Sequence, residues 1–106
     1  MKTLSELKQE LNEQTKVGDK IIQQIKALDK NALMAYGARN YVSLKDGIQF
    51  DVKGSKHKGR IIIRLNSQDL YNIEAGTIRM FNYKVVKQVA DVSVENLVSV
   101  LDSIIG

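Results

Sequence analysis

The spacing of apolar residues changes twice along this chain, and the two changes limit what it can fold into. Apolar residues recur at helical spacing up to about residue 36, at twofold spacing from Asn40 to Val92, and at helical spacing again to the end. A period of 3.6 cannot bury its stripe as a strand, nor a period of two as a helix, so each stretch commits to one element type. The order predicts an α+β fold: an antiparallel β-meander of about five strands with N-terminal helices and a C-terminal helix packed on it. Such a sheet keeps its second face partly in water. Residues 1–36 are expected to form the helical segment, 40–92 the sheet and 93–105 the last helix of a single domain.

Local signals refine this outline. Thr3-Leu4-Ser5-Glu6 has the form of a capping box, in which hydroxyl and carboxylate satisfy orphan N–H groups, so a helix is expected from Leu4. Leu4, Leu7 and Leu11 repeat at helical spacing, Gln14 and Gly18 interrupt them, and a second series follows at Ile21, Ile22, Ile25 and Leu28. Two helices meeting near Gly18 or one helix bent there both fit this pattern. Asn31 to Gly37 reads as a helical turn closed by a left-handed glycine. Val42 and Leu44, then Ile48, Phe50 and Val52, alternate with polar residues as two half-buried strands around the turn Asp46-Gly47. Arg60 to Leu65 predicts a third strand. Leu70–Ile73 and Thr77–Phe81, flanking Ala75-Gly76, and then Tyr83–Val92 predict two or three more. Ser93 can cap the last helix, whose stripe is Val94, Leu97, Val98, Leu101, Ile104 and Ile105.

Composition narrows the function classes. The 106 residues, 43% apolar and 26% charged, suit a folded domain. No cysteine is present, which removes disulfides, thiolate metal sites and a thiol nucleophile and fits a reducing cytoplasm. Polar residues follow Met1 directly, without the apolar run of a leader or membrane span, so a cytoplasmic location without a membrane is expected. The glycines never make a phosphate-cradling loop with lysine and a hydroxyl at the required spacing. His57 is the sole histidine, lies between Lys56 and Lys58, and reads as an exposed loop residue. Asp46 belongs to the turn and Asp51 to a solvent-facing strand phase. No nucleophile and base can be paired, so no enzyme, metal or cofactor is expected, and the protein is read as a binding module.

The charge is uneven. Its formal total is +4, but residues 37–90 hold ten basic and four acidic side chains, whereas residues 91–106 hold three acids and no base. Lys53, Lys56, Lys58, Arg60 and Arg64 fall on a connector and the outward phase of its flanking strands, where a shared face would form a positive ridge. Such a ridge attracts phosphates through counterion release, and Tyr41, expected on the outward phase of the first strand, could stack on bases. Solvation and protection of strand edges explain the same lysines and arginines without a ligand. The Leu4, Leu7, Leu11 stripe can serve as a dimer seam or pack on the chain's own core.

One set of residues carries a likeness: Gly37-Ala38-Arg39-Asn40-Tyr41, a short hairpin, Leu65 to Glu74, and Ile78-Arg79. Over roughly residues 31–101 the chain resembles a group of short, uncharacterised proteins of tailed bacteriophages and integrated mobile elements. The resemblance implies a genomic setting, in which small proteins often inhibit host defence, as anti-CRISPR proteins do, or bind nucleic acid. It implies as partner a host protein, such as a nucleic-acid-bound effector complex, with nucleic acid itself as the alternative. Asn66-Ser67-Gln68-Asp69 within it is explained as a turn. Tyr71 and Arg79 are not, and they join the candidate contact residues.

Overall fold

The computed structural model describes residues 17–106. Helix α1 covers residues 17–28 and the short α2 is Ala32–Ala35. Five strands follow: β1 (Arg39–Leu44), β2 (Gly47–Lys53), β3 (Lys58–Leu65), β4 (Tyr71–Arg79) and β5 (Asn82–Val92). A 3-10 turn, Val94–Asn96, leads into α3 (Leu97–Ile105). The strands are antiparallel in the order β1-β2-β3-β4-β5, so the sheet is the expected meander. The capping box at Thr3 and the leucines at 4, 7 and 11 lie outside the described residues.

Twofold alternation puts Ile48, Phe50 and Val52 of β2, Ile61 and Ile63 of β3, and Tyr71, Ile73 and Ala75 of β4 on one face. That face forms one continuous core with Ile21 and Ile25 of α1, Leu33 and Tyr36 around α2, and Leu97, Leu101, Ile104 and Ile105 of α3. Side-chain hydrogen bonds tie the layers together. The Tyr71 hydroxyl donates to Gln24 Oε1 of α1, and the Tyr36 hydroxyl donates to Asp102 Oδ1 of α3. The Tyr36 carbonyl also accepts from the Lys53 N–H at 2.8 Å, which fixes the helical segment against the end of β2. Gly37, at φ +63°, supplies the left-handed residue that closes α2.

Several expectations are corrected. Gly18 lies in α1, where the absent side chain brings the helix to the Gly47 carbonyl and Ser43; the segment before it, on which the expected junction or bend depends, lies outside the described residues. The first hairpin turn is Lys45-Asp46 rather than Asp46-Gly47, because Leu44 pairs with Gly47. Neither turn residue has positive φ, so Gly47 is present for space: a Cβ there would stand 1.9 Å from the Ile63 carbonyl oxygen. The same two-residue loop makes Ser43, not Val42, the partner of buried Ile48. Val42 and Leu44 therefore take the open face, and the expected phase of β1 is inverted. β4 runs unbroken through Ala75-Gly76, and its turn comes later, at Met80-Phe81. The Ser93 hydroxyl caps no backbone N–H and accepts from the Asn96 side chain at 3.1 Å instead.

The Asn66 turn is bound as expected, with Asn66 Oδ1 accepting from the Gln68 and Leu70 N–H groups at 2.9 and 3.1 Å. Gly47→Ala should lower stability by about 1–3 kcal/mol in urea unfolding, since the new methyl meets rigid strand backbone and the β2–β3 pairing must separate. A loss below about 0.5 kcal/mol would show that β2 does not approach β3 this closely.

Candidate functional site

Burying Ile61 and Ile63 forces the alternate residues of β3, Lys58, Arg60 and Arg64, to the uncovered face. Register adds neighbours. Asp51 stands opposite Arg60 on β2, Lys53 opposite Lys58, and Arg39 of β1 opposite Asp51. On the other side β4 and β5 continue past the end of β3, which pairs no further than Gly76, and Arg79 lies on this projecting part. A trough of about 450 Å³ runs along this notch, with Arg39, Lys53, Lys58, Arg60 and Arg79 on its walls and Asp51 as the sole carboxylate among the described residues.

The trough has spare donors. Asp51 accepts from Asn40 Nδ2 at 3.0 Å and lies 3.8 Å from Arg60 Nε, too far for a hydrogen bond. Arg60 Nε is shielded from solvent and hydrogen-bonded to nothing among the described residues. Arg39, Lys53, Lys58 and Arg79 have no ion-pair partner there either. Arg60 is held from the side: its guanidinium carbon lies 5.8 Å from the Tyr83 ring centre, within cation–π range. Tyr83 crosses over Gly76, where a Cβ would come within 2.4 Å of the ring, and its hydroxyl donates to Glu74 Oε2 at 2.7 Å. Burial, the Glu74 hydrogen bond and the Glu74 charge push the Tyr83 phenol up to about 12, with Arg60 opposing.

The structure sorts the expected contact residues. Lys53, Lys58, Arg60 and Arg79 converge on the trough. Lys56 does not: its N–H donates to the Ile105 carbonyl at 2.9 Å, which places it beside the end of α3. Arg64 sits at the far end of β3, paired with Asp46 at 2.7 Å. Tyr71 is a core residue bound to α1. Tyr41 is on the helix side of the sheet, its ring 5.6 Å from that of buried Phe50, because the hairpin that pairs Ser43 with Ile48 also puts Tyr41, two residues earlier, on that face. His57 is not an exposed loop residue. It is 9% exposed, held as the connector is stitched to α3, and its Nε2 has no hydrogen-bond partner among the described residues. Among the described residues no hydroxyl is positioned on Nε2, and no three metal-ligating side chains cluster. Nor is any described helix long and apolar enough to cross a membrane.

Two features escaped the sequence reading. Arg39 joins the trough through a bulge that follows it, with Asn40 at φ +56°, which no local signal announces. The β4–β5 hairpin projects as a two-stranded ribbon with Ile78, Met80, Phe81, Tyr83, Val85 and Val86 exposed. Its two-residue turn is Met80-Phe81, with φ of +49° and +69°, a conformation usually given to Asn-Gly. Non-glycine residues held there cost on the order of 1–3 kcal/mol each. Comparison with family models, with curated proteins and with solved structures found no match for this chain.

A raised phenol pKa means the neutral form is favoured by the fold. Its contribution is complete below the ordinary value of 10.0 and is lost as pH rises through about 12. Ultraviolet titration should show Tyr83 ionising near pH 12 in the native protein, and earlier in Glu74→Gln. An unchanged curve in the variant would disconnect Tyr83 from Glu74.

Proposed function

We propose that the protein is a non-catalytic, sequence-tolerant nucleic-acid-binding module that seats a phosphate backbone in the trough. The observation carrying this reading is that Arg39, Lys53, Lys58, Arg60 and Arg79 converge from four strands around one carboxylate, with a shielded Arg60 donor unused. Four strands span about 14 Å at the usual spacing, which is about four nucleotide rises of one strand. Five cations on that span suit a polyanion better than a single small anion. The grouping of these cations along one trough supports the same class of ligand, since release of counterions from phosphates needs several cations and no base reading.

A second reading follows from the exposed apolar ribbon. The protein would then act in a host cytoplasm as a phage or mobile-element protein that blocks a host protein surface, such as an anti-CRISPR or other anti-defence inhibitor. Exposed Met80, Phe81 and Val86 favour it, because solvated apolar residues grouped on one projection commonly mark a protein contact.

Salt separates the two. Fluorescence anisotropy with labelled DNA and RNA should give a logarithmic salt slope of about −3 to −4, from roughly 0.9 per phosphate contacted. Lys58→Gln and Arg39→Gln should each reduce it by about 1. Lys56→Gln and Arg64→Gln, outside the trough, should leave it unchanged. Equal effects from all four would replace the trough with general surface charge, and no binding at low salt would leave the protein-blocking reading.

A further inference from the structure

The β4–β5 ribbon combines features that the trough alone does not use. Its tip holds two large apolar residues in the left-handed region, and both are fully in water, Met80 at 91% and Phe81 at 103% exposure. Asparagine and glycine would form this turn without strain, and neither bulky residue packs against the protein to compensate. Register places Thr77 with Lys84 and Arg79 with Asn82 on one side of the ribbon, and Ile78 with Tyr83 and Gly76 with Val85 on the other. Between Glu74 and Asp91 the chain carries Arg79, Lys84 and Lys87 and no acid. An apolar point on a stem whose charges are all basic calls for a partner that is anionic outside and apolar between its layers. The ribbon is also continuous with the trough, because Ile78 and Arg79 line both.

We infer that the ribbon enters a groove of double-stranded DNA and that Phe81, with Met80, wedges between adjacent base pairs while Arg79, Lys84 and Lys87 contact the flanking phosphates. A two-stranded ribbon can lie in either groove of B-form DNA, and an apolar wedge acts from the minor groove. Apolar side chains pushed into a base step unstack it and bend the helix, and pyrimidine–purine steps yield most easily. The conformation of the tip has a direct use in this role. It turns the chain within two residues, so the wedge is the foremost point of the molecule. This inference rests on the trough reading and adds to it a duplex target and a deformation of that target.

The test compares the wild-type chain with Met80→Asn/Phe81→Gly, which removes the wedge and installs the residues the turn favours. The variant should therefore melt at a higher temperature than the wild type, which guards against loss of fold. The probe is a short DNA duplex with 2-aminopurine at a central pyrimidine–purine step, read for fluorescence, together with anisotropy of the same duplex. Wild type should raise the fluorescence on binding; the variant should still bind with the same salt slope and give no rise. Binding without a rise in the wild type, or an equal rise in both, would overturn the wedge and leave the trough reading intact. Absence of duplex binding would overturn the wedge, and absence of binding to single-stranded DNA and RNA as well would overturn the trough reading. In that case tip-dependent binding to vesicles of anionic phospholipid, or to a purified protein partner, would assign the apolar tip elsewhere.

Discussion

Burial of one face of the three central strands is the interaction on which the other features depend. Phe50, Ile61, Ile63 and Ile73 are removed from water against Ile21 and Ile25 of α1 and Leu97 and Leu101 of α3. Side chains of this size contribute about 1.5–3 kcal/mol each on burial, whereas an unpaired ammonium or guanidinium in the same place would cost far more. The strand therefore cannot slip by one residue, because a slip would exchange Ile61 and Ile63 for Arg60 and Arg64. The basic face is the obligatory reverse of the apolar one. What the core does not dictate is that any of those cations meet, and that depends on where strands begin and end.

The trough exists because β3 stops pairing at Gly76 while β4 and β5 continue. A sheet with strands of equal length would present the same cations on a flat surface, well solvated and weakly coupled. The early loss of β3–β4 pairing leaves Lys53 and Lys58 beside the stem of the ribbon, with Arg79 lining the same trough. Tyr83 then serves both parts: its ring lies over Gly76 and beside Arg60, and its hydroxyl is held by Glu74. Glycine in the middle of a strand usually weakens it, but here the ring of a neighbouring strand fills the space. The stem of the ribbon and the wall of the trough thus share one aromatic ring.

Much of this was legible in the residues. Twofold spacing marked β2 and β3, a glycine closed α2, and alternation put Lys53, Lys58 and Arg60 outward. The phase of β1 could also have been read. A two-residue hairpin pairs an even-numbered residue with an odd one, so Val42 and Leu44 cannot share a face with Ile48 and Phe50. Ala75-Gly76 gave the opposite lesson: glycine next to alanine resembles a turn, but Gly76 is there to admit Tyr83. The real turn, Met80-Phe81, contains none of the residues that favour its geometry, so local propensity pointed away from it.

The sequence by itself determined the class of fold, the order of elements and the sign of the uncovered face, because those follow from periodicity and from the cost of burying charge. Only the tertiary structure decided which cations converge. Lys56 follows Lys53 closely in the chain but is drawn away to the Ile105 carbonyl, whereas Arg39 and Arg79, forty residues apart, share one trough. Tyr41 and Tyr71 likewise went to the core side through the registers of their strands. Convergence of this kind depends on bulges, strand lengths and the docking of α3, which are set by contacts between residues remote in sequence. No local pattern encodes them.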